Sequence, residues 1–358
     1  MKQKTVVIGL SGGVDSSVAT LILKKQRYKV IGAFMKNFSD SKNPLTNECS
    51  WIEEKIMAQK IANLLEIPLV TFDFEKEYKK IVLEKMFKDY SNGLTPNPDI
   101  NCNTIIKFPL FWKKAKSFGA DFIAMGHYAR IKKSNYRYNL LKGKDEKKDQ
   151  SYFLYGLSQE DLSHTLFPIG NLKKLEIRKI AKKNKFPNWN KKSTRGICFV
   201  GKINIKSFLE KKIKNKKGKI ISPEKEILGY HKGIYYYTIG QRIGKNEGLE
   251  KNSKEKLYVA EKTKSNSLIV VPKNHSLLKK QKIIIKDFHL INKNENFLNK
   301  KIEARIRHLG NFLPGKLKIK NKKFVFHLSK PEIGIAEGQS IVLYKKEIVL
   351  GGGEIRLK

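Results

Sequence analysis

The sequence predicts an α/β protein in which an open parallel sheet with helices on both faces is followed by a small central β-rich domain and a C-terminal β-barrel. Two observations carry this prediction. Over roughly the first 200 residues, apolar strand-like runs alternate with amphipathic helical segments, as in an open parallel sheet. From about residue 205, short β-like runs are separated by Gly, Pro, Asn and Lys, which is typical of small β domains. We expect domain ranges of 1–204, 205–275 and 276–358.

The first domain begins with the apolar, β-branched run TVVIGL at residues 5–10, which predicts a strand. A glycine turn and an amphipathic helix that ends at Lys24 and Lys25 follow it. Further strands are predicted at 29–35, 68–74 and 121–125, and helices at 52–66, 78–90 and 108–118. The Pro- and Asn-rich stretch 92–103 (NGLTPNPDINCN) predicts a loop that carries a cysteine.

The rest of the chain has a different pattern. The β-like runs are predicted at 233–239, 257–259, 268–271, 283–285, 324–328 and 341–343. The Lys-rich stretch 211–219 predicts a linker or a surface loop.

Size and composition exclude several classes of protein. The chain has 358 residues, of which 40% are hydrophobic, so it has enough apolar material to fold. Its longest apolar runs are far shorter than a membrane span, and we expect no signal peptide at the N-terminus. The three cysteines, Cys49, Cys102 and Cys198, are too few for a disulfide framework. We therefore expect a cytoplasmic protein with no membrane association.

The positive charge is concentrated after residue 100. The chain has 74 Lys and Arg against 33 Asp and Glu, yet residues 1–100 carry 15 basic and 12 acidic side chains. A strongly basic body suggests a polyanionic partner. Only nine of the basic residues are Arg, and abundant Lys, Asn and Ile is also the composition that an AT-rich genome produces. Both explanations stay open at this point.

The strongest motif is SGGVDSS at residues 11–17, between a predicted strand and a predicted helix. Gly12 and Gly13 let backbone N–H groups approach an anion, and the helix N-terminus adds partial positive charge. Serine hydroxyls supply further donors, and Asp15 is a candidate ligand for a Mg²⁺ that bridges phosphates. No Gly-Lys-Ser/Thr follows, so the loop is not of the Walker type. The motif predicts a phosphate-binding loop, with a simple N-capped glycine turn as the alternative.

This motif resembles the pyrophosphate loop of the ATP pyrophosphatases, a superfamily with an adenine nucleotide α-hydrolase-like fold. The resemblance implies adenylation chemistry, in which a substrate oxygen attacks the α-phosphate of ATP and pyrophosphate leaves. Small-molecule synthetases and tRNA-modifying enzymes share this loop, so it leaves the substrate open.

The remaining motifs resemble those of the bacterial tRNA-specific 2-thiouridylases and span residues 9–353 with the loop. They are NPD at 97–99, CN at 102–103, IKF at 106–108, GHY at 126–128, KDQSYFL at 148–154, GICFVG at 196–201, TIGQR at 238–242 and LGGG at 350–353. The resemblance implies ATP-dependent 2-thiolation of the wobble uridine, position 34, of tRNA. The uracil C2 oxygen is adenylated, a cysteine persulfide supplies sulfur, and AMP and pyrophosphate are released.

The resemblance also implies roles in nucleotide and sulfur chemistry. ATP would contact Met35 and Gly126 on the adenine side and the whole loop, which comprises Gly9, Leu10, Ser11, Gly12, Gly13, Val14, Asp15 and Ser16. Cys198 would carry the persulfide. Cys102 would be the nucleophile that completes sulfur release and closes a transient disulfide with Cys198, which a reductant reopens.

The residues alone leave the two cysteines open. Both lie in predicted loops near a basic residue, Lys107 or Arg195, and such a setting can lower a thiol pKa. A buried structural thiol is the alternative for each. No CxxC or HxxxH spacing occurs in the sequence, so we expect no metal site there.

The resemblance implies RNA contacts as well. Asn97, Pro98 and Asp99 would contact the flipped target base, since chemistry on a base requires it out of the stack. Asp99 is a candidate general base or a group that holds the base edge, with an Asx-turn as the alternative. The other implied tRNA contacts are His127, Lys148, Asp149, Gln150, Arg307, His308 and Gln339. For His127, an ordinary strand-end histidine is the alternative.

The implied reaction uses ATP and Mg²⁺ and two macromolecular partners. One is tRNA, with those for Lys, Glu and Gln as the family's substrates. The other is a sulfur donor protein, either a cysteine desulfurase or a sulfur carrier. We expect the enzyme to be a monomer.

One segment departs from the family pattern. Residues 191–195 (KKSTR) precede GICF where the family carries an acidic residue, which puts the position of the Cys198 loop in doubt. Cys49 has no assigned role. Two other functions stay open: a small-molecule ligase of the same superfamily, and a non-catalytic RNA-binding protein with a relic nucleotide fold. The paired cysteines and the GHY and GICF motifs disfavour the first, and the intact SGGVDS motif disfavours the second.

Overall fold

The computed structural model describes residues 3–39, 50–191, 205–250, 255–293, 295 and 297–357. Up to residue 191, the strands are β1 Thr5–Gly9, β2 Lys29–Lys36, β3 Leu69–Asp73, β4 Phe122–Ala124, β5 Ala129–Ser134, β6 Arg137–Lys142 and β7 Thr165–Leu166. The helices there are α1 Val14–Lys25, α2 Ser50–Leu64, α3 Glu75–Tyr78, α4 Glu84–Ser91, α5 Pro98–Asn101, α6 Phe111–Lys116, α7 Gln159–Ser163 and α8 Lys174–Lys183. Within the described ranges, no helix has both the length and the apolar character needed to cross a membrane.

Five of these strands form a parallel sheet in the order β3-β2-β1-β4-β7. Because side chains alternate along a strand, Val6 and Ile8 pack in a core with residues of α1, α2 and α8, whereas Val7 packs in the core that includes α4 and α6. Helices therefore cover both faces, as predicted. The four strands predicted at 5–10, 29–35, 68–74 and 121–125 are all present.

Residues 92–103 are predicted to form a loop, but the second half of this stretch is helical. α5 begins at Pro98, a π-helical segment Cys102–Leu110 follows, and α6 continues it. Proline is well tolerated in the first turn of a helix, because its missing N–H has no intrahelical partner there. Pro109 lies inside the π-helical segment, where it removes one backbone donor. The predicted helix at 108–118 therefore begins about ten residues earlier than expected.

The central region is a small β unit preceded by α9 Ile205–Glu210. Its strands are β8 Gly218–Ile221, β9 Ile227–His231, β10 Arg242–Ile243, β11 Leu257–Lys262 and β12 Leu268–Pro272, in the sheet order β10-β11-β12-β8-β9. Its core includes Ile220, Val259 and Val270. The β-like run predicted at 233–239 is wrong, because its centre forms the 3-10 turn Ile234–Tyr236.

The last region is a closed barrel, as predicted. Its strands are β13 Lys280–Leu290, β14 Lys301–Arg305, β15 Leu313–Lys320, β16 Lys323–Glu332, β17 Ser340–Lys345 and β18 Ile348–Arg356. They follow the order β13-β16-β15-β14-β17-β18, and β18 pairs with β13 to close the ring. The β5–β6 hairpin of the first domain joins this sheet through β18. The barrel is thereby connected by backbone pairing to the domain that carries the SGGVDSS motif.

Candidate functional site

The candidate site lies where β1 and β4 end side by side. The chain runs from β1 outward to β2 and β3, then returns to the other side of β1 as β4. Ligands of open α/β sheets bind at such a switch point, outside the carboxyl ends of the strands. The SGGVDSS loop follows β1, and the GHY motif follows β4.

The conformation of this loop explains why glycine is needed at position 12. Gly12 has φ +70°, a left-handed conformation, and a Cβ there would lie 2.5 Å from the backbone oxygen of Glu54 on α2. The hydroxyls of Ser16 and Ser17 donate to the carbonyl of Gly13, at 2.9 and 3.0 Å. The loop is therefore packed tightly on the start of α1.

A distant asparagine also holds the loop. The buried side chain of Asn188 donates to the Gly12 carbonyl and to the Ser17 hydroxyl, both at 2.9 Å. Asn188 lies ten residues before Cys198 in the chain. Asn188, which follows α8, is thus hydrogen-bonded to the SGGVDSS loop.

Asp15 is bonded to two side chains from other elements. Lys174, at the start of α8, places its ammonium 2.6 and 2.8 Å from the two carboxylate oxygens, and the Tyr128 hydroxyl donates to Oδ1 at 2.6 Å. Burial and the nearby Asp15 charge raise the pKa of Tyr128, which therefore stays protonated as a donor. This geometry does not fit the expected role of Asp15 as a Mg²⁺ ligand, because Lys174 already neutralises the carboxylate. Among the described residues, no group of three or more His, Cys, Asp or Glu side chains is placed to hold a metal ion.

Met35 and Gly126, the residues expected on the adenine side, lie close to Gly9 and to Ser16 respectively. A Cβ on Gly9 would lie 2.7 Å from the sulfur of Met125 and 3.1 Å from the terminal methyl of Met35. A Cβ on Gly126 would lie 2.9 Å from the backbone nitrogen of Ser16. The two glycines therefore allow Met35, Met125 and the start of α1 to pack closely beside the loop. Of the other loop residues, Leu10 and Val14 are buried in the core, and Ser11 is exposed.

Cys102 has a different setting from the predicted loop. Its side chain is fully buried at the start of the π-helical segment, in a core with Ile106 and Phe108. Asn97, Pro98 and Asp99 form the adjoining start of α5 and are half-buried. Cys49, Ser193, Thr194, Arg195 and Cys198 lie outside the described residues.

His127 is buried in an aromatic environment beside the site. Its ring centroid lies 5.7 Å from that of Phe108 and 6.0 Å from that of Phe167. Burial, with a further contribution from the charge of Lys107, lowers the pKa of His127 well below its usual value. Within the described part of the chain, its Nδ1 has no hydrogen-bond partner. His127 is therefore a neutral, buried histidine that packs against these aromatic rings.

Asp149 of the KDQ motif is expected to contact RNA, but it lies inside the protein. The Asp149 side chain is buried, at 1% exposure, and pairs with Arg305 of the barrel at 2.7 Å. Its other oxygen accepts the backbone N–H groups of Gly143 and Ser151. Both oxygens are thus used inside the protein, and Asp149 joins the first domain to the barrel instead of facing RNA. Its neighbours Lys148 and Gln150 are half-buried.

The expected RNA contacts in the barrel are not equally accessible. Arg307 is exposed. His308 packs on Phe153, with ring centroids 4.4 Å apart, and burial lowers its pKa to about 4. Gln339 donates its side-chain amide to the backbone oxygen of Thr95, at 3.0 Å.

Comparison with known proteins identifies the family. The model of the tRNA methyl transferase HUP domain matches residues 4–202, more than half of the chain. A tRNA-specific 2-thiouridylase of Nitrosomonas europaea is 41% identical, and the alignment covers 99% of both chains. The chain belongs to the tRNA-specific 2-thiouridylase family.

Other comparisons agree with membership of the tRNA-specific 2-thiouridylase family. Its member from Malacoplasma penetrans is 42% identical, over 99% of this chain and 98% of the relative. Residues 206–273 match the tRNA methyl transferase PRC-barrel domain, and residues 280–355 match the aminomethyltransferase beta-barrel domain. The expected fold class is confirmed by these matches and by the two sheets and barrel described above. A 4-thiouridine synthetase in complex with RNA and ATP aligns at 16% identity over 58% of this chain and 50% of that chain, with a TM-score of 0.37.

Proposed function

We propose that this chain is an ATP-dependent tRNA-uridine 2-sulfurtransferase that converts the wobble uridine, position 34, into 2-thiouridine. The main support for this function is the tightly packed SGGVDSS loop at the switch point of the sheet. The chain that contains it is 41% identical over its length to a tRNA-specific 2-thiouridylase. The loop supports binding of a nucleotide's phosphates, and the relative's name supports tRNA as the substrate.

The first step is adenylation. The C2 oxygen of uracil attacks the α-phosphate of ATP, and pyrophosphate leaves with the bonding electrons. The loop from Gly9 to Ser16 and the N-terminus of α1 stabilise the negative charge that develops on pyrophosphate. Lys174 neutralises Asp15, so that the carboxylate does not repel the incoming phosphates. Met35 and Gly126 bound the space for adenine. Mg²⁺ enters only as the ion that ATP carries.

The second step transfers sulfur. The terminal sulfur of a Cys198 persulfide attacks the activated C2 carbon, and AMP leaves with the former C2 oxygen. The Cys102 thiolate then attacks Sγ of Cys198. A Cys102–Cys198 disulfide forms, the bond between Cys198 and the transferred sulfur breaks, and 2-thiouridine is released. A dithiol reductant reopens the disulfide.

The target base would be held by Asn97, Pro98 and Asp99, which adjoin the Cys102 segment. Asp99 would accept the N3 proton of uracil as the C2 oxygen attacks. Lys148, Gln150, Arg307 and His308 are the proposed RNA contacts around the junction of the first domain and the barrel. His127 would shape the base-side wall as a neutral ring. The Lys-rich surface would add the salt-dependent share of tRNA affinity.

The partners and organisation follow from the same proposal. The substrates are tRNAs for Lys, Glu and Gln, and a cysteine desulfurase or sulfur carrier supplies the persulfide. The protein acts as a cytoplasmic monomer. Its domains span residues 1–204, 205–275 and 276–358.

The test is a thiolation assay with purified protein, ATP, Mg²⁺, unmodified tRNA, a dithiol reductant, and a cysteine desulfurase with cysteine as the source of persulfide sulfur. 2-Thiouridine is detected by retarded migration in a mercury-containing gel, and AMP is measured in parallel. The matched control is the same tRNA with cytidine at position 34. We expect thiolated product and AMP from the uridine-34 tRNA and neither from the control.

The other outcomes distinguish the competing functions. ATP binding without tRNA-dependent AMP formation would contradict the proposal and favour a small-molecule ligase. Binding of tRNA without binding of ATP would favour a non-catalytic RNA-binding protein.

A further inference from the structure

The short loop at residues 93–95 is held by both β domains. It connects α4 to the Asn97–Asp99 segment that is proposed to hold the target base. The ammonium of Lys262, at the end of β11 in the central domain, donates to the Gly93 carbonyl at 2.7 Å. The Thr95 hydroxyl also lies 3.4 Å from that of Thr238 in the same domain. The central domain therefore holds both ends of the loop.

The barrel domain holds the same loop from the other side. The backbone N–H of Thr95 donates to the Glu337 carbonyl at 2.8 Å, and the Gln339 side chain donates to the Thr95 carbonyl at 3.0 Å. Both backbone polar groups of Thr95 are thus bonded to one turn of the barrel. We call Lys262, Glu337 and Gln339 the loop clamp.

The fit between the two surfaces is close. Gly338, between the two clamp residues of the barrel, has φ +90°, and a Cβ there would lie 2.9 Å from the Thr95 nitrogen. Thr95 itself is buried. A buried backbone group that loses its hydrogen-bond partner destabilises the fold, so the Thr95 bonds resist displacement of the loop.

The chain between Thr95 and Asp99 is stiff. Pro96 and Pro98 have fixed φ, and each restricts the residue before it. A second connection runs through Tyr152, whose hydroxyl donates to the Ser340 carbonyl at 2.7 Å and lies near enough to the Asn97 side chain for that amide to lower the pKa of Tyr152. A displacement of residues 337–340 would therefore move Asn97 by two routes.

The loop clamp also gives Gln339 a partner inside the protein. The family resemblance implied that Gln339 contacts tRNA. Its amide instead reaches a carbonyl 244 residues away in sequence, in a different domain. The amide of Gln339 therefore joins the barrel to the loop at residues 93–95.

We propose that Lys262, Glu337 and Gln339 are positioning residues, which fix the Asn97–Asp99 segment in its reactive position. The rate of thiolation therefore depends on how both β domains pack against the loop at residues 93–95. This inference rests on the proposed function. The β domains thus contribute to the chemical step as well as to RNA binding.

The test compares Gln339→Ala and Lys262→Met with matched controls. Gln281→Ala removes a similar glutamine-to-carbonyl bond, 3.1 Å to Leu328, that stays within the barrel domain. Lys219→Met removes an exposed lysine from the central domain. Single-turnover thiolation is measured at saturating tRNA, and the Kd for tRNA is measured separately. We expect each clamp variant to lose about five- to tenfold in rate, with Kd changed less than twofold, and the controls to match wild type.

Hydrogen exchange gives a readout that needs no activity. The Thr95 amide should exchange faster in both clamp variants than in wild type and in the controls. Gln339→Glu, which keeps the size but places a carboxylate against the Thr95 carbonyl, should behave like Gln339→Ala.

Three outcomes would overturn the inference. They are an unchanged rate, a raised Kd with an unchanged rate at saturation, and unchanged Thr95 exchange. If wild type makes no 2-thiouridine while Thr95 exchange still responds to the variants, the proposed function fails and the clamp remains as a structural link.

Discussion

The ammonium of Lys174 lies 2.6 and 2.8 Å from the two carboxylate oxygens of Asp15, across 159 residues of sequence. Asp15 belongs to the SGGVDSS motif and lies in the first turn of α1. Both side chains are largely buried, at 11% and 28% exposure. An aspartate at this position would otherwise oppose the entry of phosphates, so α8 makes the loop able to accept an anion.

Lys174→Met should therefore weaken ATP binding. The variant leaves the Asp15 carboxylate without its cation, and a hydrogen bond to a charged group contributes about 1.5–3 kcal/mol. We expect the Kd for ATP to rise about tenfold or more. Lys173→Met, at the adjacent exposed lysine, is the matched control and should bind ATP as wild type does. Equal ATP affinity in the two variants would contradict the role given to Lys174.

Gly12→Ala should abolish ATP binding and destabilise the protein. The new Cβ would meet the Glu54 carbonyl at 2.5 Å, in a backbone conformation that alanine disfavours. Gly119 separates the two effects, because its φ is +72° but nothing lies within 4 Å of a Cβ there. Gly119→Ala should cost only about 1–2 kcal/mol in the free energy of unfolding, with ATP binding retained. Urea unfolding and ATP titration of both variants measure this, and a similar loss in the two would show that the contact with α2 is unimportant.

Arg305→Met should destabilise the protein without a specific loss of RNA affinity. The variant leaves Asp149 as a buried carboxylate without its cation, which costs about 3–5 kcal/mol. Adding Asp149→Asn should restore most of the free energy of unfolding. Lys345→Met breaks an exposed pair with Glu295 in the same domain and should cost less than about 1 kcal/mol.

Binding of tRNA distinguishes this structural role from the RNA contact first expected of Asp149. The Asp149→Asn, Arg305→Met double variant should bind tRNA within about twofold of wild type when it is folded. A large loss of affinity in the folded double variant would restore Asp149 as an RNA contact.

Most of the fold could be predicted, because its signals are local. Apolar runs such as the one around Val6 and Val7 predict the strands of the parallel sheet. The glycines and serines of residues 11–17 predict the loop between β1 and α1. The start of α5 was missed, because Pro98 and its asparagine neighbours are typical of loops as well as of a helix N-terminus. The β5–β6 hairpin was also missed, since its partner strand β18 lies about 200 residues later.

The site was predictable only where a motif spans consecutive residues. Lys174 and Asn188 reach the loop from elements more than 150 residues away, and neither stands in a recognisable local motif. The resemblance implied an RNA contact for Asp149, and nothing local in the sequence indicates its buried partner Arg305, which is 156 residues away. Such pairings depend on how the domains pack.

Acid should destabilise the protein through His308. Burial lowers its pKa to about 4 in the folded state, below the usual value of 6.5. The unfolded chain therefore binds the proton more readily, and the stability held above about pH 6.5 is lost as the pH falls toward 4. Urea unfolding of wild type and His308→Gln between pH 7 and pH 4 measures this. We expect a shallower loss of stability in the variant, and parallel curves would contradict the buried neutral histidine.

In the proposed mechanism, two cysteines carry sulfur after ATP has activated the base. The most direct measurement is 2-thiouridine formation by Cys102→Ser, Cys198→Ser and Cys49→Ser, beside tRNA-dependent exchange of pyrophosphate into ATP. We expect Cys102→Ser and Cys198→Ser to make no 2-thiouridine but still to exchange pyrophosphate into ATP. Cys49→Ser, at the cysteine without an assigned role, should keep both activities. Thiolation at the wild-type rate by either Cys102→Ser or Cys198→Ser would contradict this mechanism.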